Sequence, residues 1–342
     1  MHTTQSQGVL PIDKELLKEN AHYLANPERG ILAADESAKT CCLRFEGVHL
    51  DCTEESRRAF REMIITTPKL EDYISGIILT DETIRQSLKG ENAETFVNVL
   101  ISKGIKPGIK VDEGITGFKD EHDIEFITKG TDGLAGRIPE YRNMGAAFAK
   151  WRAAFSVTHG LPTAACLEAN VQSMVTYALV CQENNIVPIV EPEVIMDGTH
   201  SISDMAETMK KVIGAVIDGL KSADVYMPGV ILKTSMALSG KNADNRASAE
   251  EVAEETLAVL KETVPDSIGG VVFLSGGQSF EEVNANYDAI MRRKNEVPFS
   301  LAYSFSRAFQ NNALKHYAND PQDVSGSQKV LIDSIARIAN PH

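Results

Sequence analysis

Ile186-Val-Pro-Ile-Val-Glu-Pro-Glu-Val194 is a short run dominated by β-branched residues, set between two longer stretches of different periodicity. Upstream, Leu161–Asn184 is rich in Ala, Leu and Val. Downstream, Asp204–Ser222 places Met, Val, Ile and Leu on one stripe at helical spacing. An apolar run of this length between helical stretches predicts a strand buried on both faces, as a parallel sheet requires. The same unit recurs in both directions. Seven further runs are Gly30–Glu36, Ser75–Glu82, Lys106–Asp112, Ala146–Arg152, Pro228–Met236, Gly269–Gln278 and Phe299–Arg307. Thr53–Thr67 reads as one connecting helix, and capping boxes (Ser248 with Glu251, Ser279 with Glu282) mark the starts of two others. Eight strand–helix units predict a (β/α)8 TIM barrel rather than a six-stranded doubly wound sheet. Pro11–Asn26 reads as an extra helix before the first strand and Ser327–Ala339 as one after the last. With no low-complexity linker and no internal repeat, residues 1–342 are expected to form a single barrel domain.

Charge and composition narrow the function. A formal net charge of −14 speaks against nucleic acid or an anionic membrane as the main partner. No apolar run approaches the ~18 residues of a membrane span. Met1–Leu10 lacks the apolar core of a signal peptide, so a cytosolic location is expected. The cysteines are Cys41, Cys42, Cys52, Cys166 and Cys181. Their number is odd, there is no CxxC, and Cys41 and Cys42 are too close to bridge each other in the ordinary way, so free thiols are expected. The histidines show no HxH or HExxH spacing, so no dedicated metal site is expected.

In such a barrel, chemistry sits where the strands end. There the sequence places Asp35, Lys110, Lys150, Arg152, Glu191, Glu193, Lys233, Ser275 and Arg307. One buried Lys or Glu is most simply a structural ion pair. Six such groups at the same relative position would repeat a burial cost without purpose unless they share a site. Clustered lysines suggest amine chemistry. A free lysine is only about 0.04% neutral at pH 7, and desolvation and nearby cations raise that fraction. Lys233 alternates with Leu232 and so points into the barrel, where it is a candidate nucleophile toward a carbonyl. Glu191 is a candidate proton shuttle and Asp35 a candidate base. Ser275-Gly276-Gly277 leads into a capped helix and offers backbone N–H groups to an anion beside Arg307. Across the mouth, Ser37, Thr40, Arg44 and Lys110 could hold a second anion. Two anion sites flanking an amine suggest a sugar bisphosphate.

The segments Gly30-Ile-Leu-Ala-Ala-Asp-Glu-Ser37, Gly108-Ile-Lys-Val-Asp112, Phe148-Ala-Lys-Trp-Arg152, Ile186–Glu193, Leu232-Lys233 and Phe273-Leu-Ser-Gly-Gly-Gln-Ser279 together resemble class I fructose-1,6-bisphosphate aldolase. The likeness runs from about residue 12 to about residue 340. It implies no metal and no cofactor beyond a covalent Schiff base on Lys233, a homotetramer, and cytoskeletal proteins as possible partners. It also implies roles. Glu191 would make and hydrolyse the Schiff base, Asp35 would take the C4 hydroxyl proton, and Lys150 would orient the substrate hydroxyls beside Glu193 and Arg152. Ser275, Gly276 and Arg307 would hold the C1 phosphate, and Ser37, Thr40 and Lys110 the C6 phosphate.

The chain departs from the family pattern in places. Leu43 stands where many members carry a lysine, with Arg44 next to it. Ser306 replaces a glycine at a backbone phosphate contact, and Thr234-Ser235 follow Lys233. The tyrosine-ended tail linked to proton exchange at the enamine is absent from this sequence, which makes Glu191 or water the expected donor. Other readings are the same chemistry on fructose 1-phosphate or sedoheptulose 1,7-bisphosphate, a non-catalytic scaffold, and a metal-dependent class II aldolase.

Overall fold

The computed structural model describes residues 11–119, 124–157 and 160–340. Its strands are β1 (Gly30–Ala33), β2 (Ile74–Leu79), β3 (Lys106–Lys110), β4 (Ile115–Gly117), β5 (Phe126–Thr128), β6 (Phe148–Phe155), β7 (Val187–Val194), β8 (Ile231–Thr234), β9 (Gly270–Phe273) and β10 (Leu301–Phe305). Eight of them pair in parallel into a closed barrel, in the order β1-β10-β9-β8-β7-β6-β3-β2. Each of the eight runs read from the sequence supplies one barrel strand. β4 and β5 form a separate antiparallel hairpin, which the sequence reading did not anticipate.

Side-chain alternation sorts each strand into two apolar layers. Ile31, Phe148, Val187, Ile189, Ile231, Val272 and Ala302 pack together inside the barrel. Leu32, Ala149, Val190 and Leu232 join the layer between the strands and the surrounding helices. Period two then places Lys150, Glu191 and Lys233 inside as well, because each lies two residues beyond an inward residue. The helix Lys14–Leu24 adds Leu17, Ala21 and Leu24 to the inner layer, so it closes the end of the barrel opposite the strand C-termini. Its start is capped by Asp13, whose carboxylate accepts the Leu16 N–H. Inside the barrel the Phe148 ring fills space that only a glycine leaves open. A Cβ on Gly108 would lie 2.2 Å from it.

Boundaries shift where apolar composition and backbone pairing part company. β6 runs three residues past the expected Arg152, to Phe155, because all eight of its residues pair with β7. The run from Pro228 opens in a short 3-10 turn, Met227–Gly229, before β8 starts. The last helix begins at Val324, capped by Asp323, rather than at Ser327.

The expectation of free thiols is corrected at one pair. Cys42 and Cys52 form a disulfide, with Cα atoms 5.1 Å apart. Neighbours on a helix point about 100° apart, so Cys41 turns into the core while Cys42 faces outward. The turn at Gly47–Leu50 then brings Cys52 back alongside. Cys41, Cys166 and Cys181 are free and buried.

Candidate active site

A cavity of about 580 Å³ opens at the C-terminal ends of the barrel strands. Asp35, Ser37, Thr40, Arg44, Lys110, Lys150, Arg152, Glu191, Glu193, Lys233, Ser275, Gly276 and Arg307 all line it. The residues singled out from the sequence are therefore brought to one place. The barrel register does this locally: Lys110 lies beside Lys150, and Arg152 beside Glu191, on neighbouring strands.

At the centre, charges alternate. Lys150 Nζ lies 2.7 Å from Asp35 Oδ2 and 3.1 Å from Glu191 Oε2. Lys233 Nζ lies 3.2 Å from Glu191 Oε1. The side chains of Lys150, Glu191 and Lys233 are 4–5% exposed, so these contacts act with little screening by water. Burial alone would raise the Asp35 pKa, but Lys150, Lys233 and Lys110 outweigh it and bring it down to about 2. Burial likewise works against the Lys150 ammonium, yet Asp35 and Glu191 hold its pKa above the ordinary lysine value. Glu193 pairs with Arg152, and this overcomes the burial that would otherwise raise its pKa, leaving it below the usual carboxylate value. Lys110 Nζ is held 2.6 Å from both the Asp112 carbonyl and its carboxylate.

The three lysines thus meet in one pocket with Asp35, Glu191 and Glu193, and their charges are compensated there. A carboxylate stands beside each. The acceptor facing the Lys233 amine is Glu191 Oε1, while the buried Oε2 faces Lys150 without a well-formed hydrogen bond.

The rim carries donors. Gly276 (φ +59°) and Gly277 (φ +88°) turn the chain after β9 in the left-handed region that glycine occupies without strain. Arg307 starts the helix Arg307–Asn319, beside Gly277, and has no ion-pair partner among the described residues. Opposite, Ser37 caps the helix Ala38–Glu46, with its hydroxyl 3.1 Å from that of Thr40. Leu43, 61% exposed, forms part of that lip.

Two charged lining residues were given no role in the sequence reading. Asp112 was noted only as the end of a run. Glu36 takes ion pairs from Arg44 and Arg61 and a hydrogen bond from Ser306. Its place between Asp35 and Ser37 was the available signal, but its partners are scattered through the chain. Among the described residues, no group of three or more His, Cys, Asp or Glu is arranged to hold a metal ion.

Comparison with known proteins agrees with this geometry. A family model described as Glycolytic: Fructose-bisphosphate aldolase class-I matches residues 15–340. A probable fructose-bisphosphate aldolase class 1 of Xanthomonas campestris is 45% identical over 309 residues, 90% of either chain. The cytosolic fructose-bisphosphate aldolase 4 of Arabidopsis thaliana is 40% identical over 313 residues, 92% of this chain and 79% of its own. A chloroplastic aldolase of the same plant is also similar. Among solved structures, a Plasmodium falciparum fructose-bisphosphate aldolase in complex with TRAP and a small-molecule inhibitor superposes with a TM-score of 0.90 at 37% identity. The match covers 95% of this chain and 93% of that one. The chain belongs to the class I fructose-bisphosphate aldolases.

Proposed function

We propose that Lys233 carries the Schiff base through which this class I aldolase reversibly cleaves fructose 1,6-bisphosphate into dihydroxyacetone phosphate and glyceraldehyde 3-phosphate, the glycolytic reaction of its family. The observation that carries the assignment is the central chain of contacts. Lys233 meets Glu191, Glu191 meets Lys150, and Lys150 meets Asp35, all within 3.2 Å and inside one cavity.

In this reading the Lys233 amine gives a proton to Glu191 and attacks the C2 ketone. Glu191 then protonates the carbinolamine hydroxyl, which leaves as water, and the iminium becomes an electron sink. Asp35, ionised well below neutral pH, accepts the C4 hydroxyl proton as the C3–C4 bond breaks and glyceraldehyde 3-phosphate departs. Lys150, bound to both carboxylates, orients the sugar hydroxyls. The enamine is protonated at C3, by Glu191 or water, and hydrolysis frees the second product. Ser275, Gly276 and Arg307 take the C1 phosphate; Ser37, Thr40 and Lys110 take the C6 phosphate.

Borohydride added with substrate should trap a stable adduct on the peptide that contains Lys233. Lys233→Met should abolish the label and the activity. An adduct on any other lysine would sink the assignment.

A second substrate is favoured by the outer lip. Leu43 presents no charge there, and Lys110 is already held by Asp112. Fructose 1-phosphate, which lacks the C6 phosphate, should therefore be cleaved too; relative kcat/KM on the two ketoses measures it. The single-domain organisation of residues 1–342, a homotetrameric assembly and a cytosolic location complete the proposal. The name of the cytosolic Arabidopsis relative supports the location. Sedimentation would test the assembly.

A further inference from the structure

Ser306 stands at the N-cap of the helix Arg307–Asn319, a position that serine ordinarily fills by accepting an N–H from its own first turn. Here it makes no such bond. Its hydroxyl donates instead to Glu36 Oε1 at 2.6 Å, and its oxygen accepts from Gln310 Nε2 at 3.3 Å. Glu36 is itself fixed. Arg61 Nη2 lies 2.6 Å from its second oxygen, and Arg44 holds the first. The Glu36 carboxylate is 8% exposed, so both ion pairs act at short range in a poorly solvated place. Glu36, Ser306 and Arg307 line the same cavity.

The consequence concerns the helix end. The first N–H groups of a helix have no acceptor within it and bind anions well. A serine that turned back to cap them would compete with a substrate phosphate for the same donors. We infer that Glu36 is a positioning residue: by drawing the Ser306 hydroxyl away from its own helix, it keeps the Arg307 end of that helix open for phosphate. This explains how a serine can stand where the family pattern has a glycine. It rests on the assignment of the C1 phosphate to Arg307.

The test is a double-mutant cycle read by KM and by inhibition with inorganic phosphate. Glu36→Gln keeps the shape but gives up the charge-assisted pull on the hydroxyl. With Ser306 present, KM and the phosphate inhibition constant should rise about fivefold, the value of a typical serine cap, while kcat stays within about twofold. In a chain also carrying Ser306→Gly, adding Glu36→Gln should change both constants by less than about twofold, because no hydroxyl remains to swing onto the helix. An equal rise in both backgrounds would overturn the inference, since Glu36 would then act only through Arg44 and Arg61. No rise in either would overturn it as well. Arg307→Ala is the separate control: phosphate inhibition unchanged by that substitution would sink the phosphate assignment itself. Should Glu36→Gln fail to fold, hydrogen exchange in the unaltered protein decides. The Ala308 amide should exchange freely and become protected when inorganic phosphate is added. Protection already present without phosphate would mean that the hydroxyl caps the helix, and the inference would fall.

Discussion

Asp35 shows how one contact sets the charge of a buried carboxyl. Its carboxyl is almost out of water, which favours the neutral form, and only the ammonium of Lys150, with help from Lys233 and Lys110, keeps it ionised. Its folded pKa of about 2 lies below the ordinary 3.8. The stabilisation it brings is therefore complete above about pH 4 and is lost as pH falls from about 4 to about 2, an effect of roughly 2 kcal/mol. Asp35→Asn should remove that part of the acid unfolding curve, measured by denaturant melts between pH 2 and 5. The same substitution should lower kcat by about 10²–10⁴-fold at neutral pH, the usual worth of a general base. Glu191→Gln tests the proton shuttle more narrowly. If Glu191 is the enamine donor, stereospecific deuterium exchange at C3 of dihydroxyacetone phosphate should disappear, and unchanged exchange would leave water as the donor. These residues were legible in the sequence because lysines and carboxylates at the ends of apolar runs are costly unless they meet. Glu36 and Asp112 were not, because what distinguishes them is their partners. Arg44, Arg61 and Ser306 reach Glu36 from three separate parts of the chain.

Among the elements, the helix Ala38–Glu46 carries the lip residues Ser37, Thr40, Leu43 and Arg44 on one side and Cys42 toward the loop that holds Cys52. Closing a loop of 10 residues removes unfolded-state freedom worth ~2–3 kcal/mol. Reduction with a dithiol, or Cys52→Ser, should lower the melting temperature by a few degrees. An identical melt with and without reductant would show that the bond adds nothing. The pairing could not be read from spacing, because it depends on how the helix turns Cys41 inward and on where the following loop returns. The hairpin of β4 and β5 was hidden for a different reason. Strands of three residues are too short for alternation to register. The barrel strands were visible because burial on both faces forces continuous apolar runs, although such runs mark burial and not hydrogen bonding, which is why the predicted ends slipped at β6 and β8. The helix Lys14–Leu24 can be probed through Leu17, fully buried beneath the barrel. Leu17→Ala should destabilise the fold by about 2–5 kcal/mol in a urea melt, while KM measured well below the transition is unchanged.

For the molecule as a whole, class I aldolases work through a Schiff base rather than a metal, the iminium doing the work of an electron-withdrawing ion. Prolonged treatment with EDTA should leave turnover unchanged, and a loss restored by zinc would contradict the family's mechanism. The background is acidic, with a net charge of −14, and the cavity's lysines are each matched by a carboxylate; Arg307, with no ion-pair partner among the described residues, is the cation left over for an anionic substrate.

The helix beneath the barrel plugs its lower end, so the cavity opens at the rim where the strands finish. Ketose entering and both trioses leaving must pass the same ring of side chains, so the two products queue behind one another. The sugar half released first has to clear the threshold before the half still held as an enamine can be let go. A small anion lodged at that threshold would halt traffic in both directions at once, slowing cleavage and condensation alike.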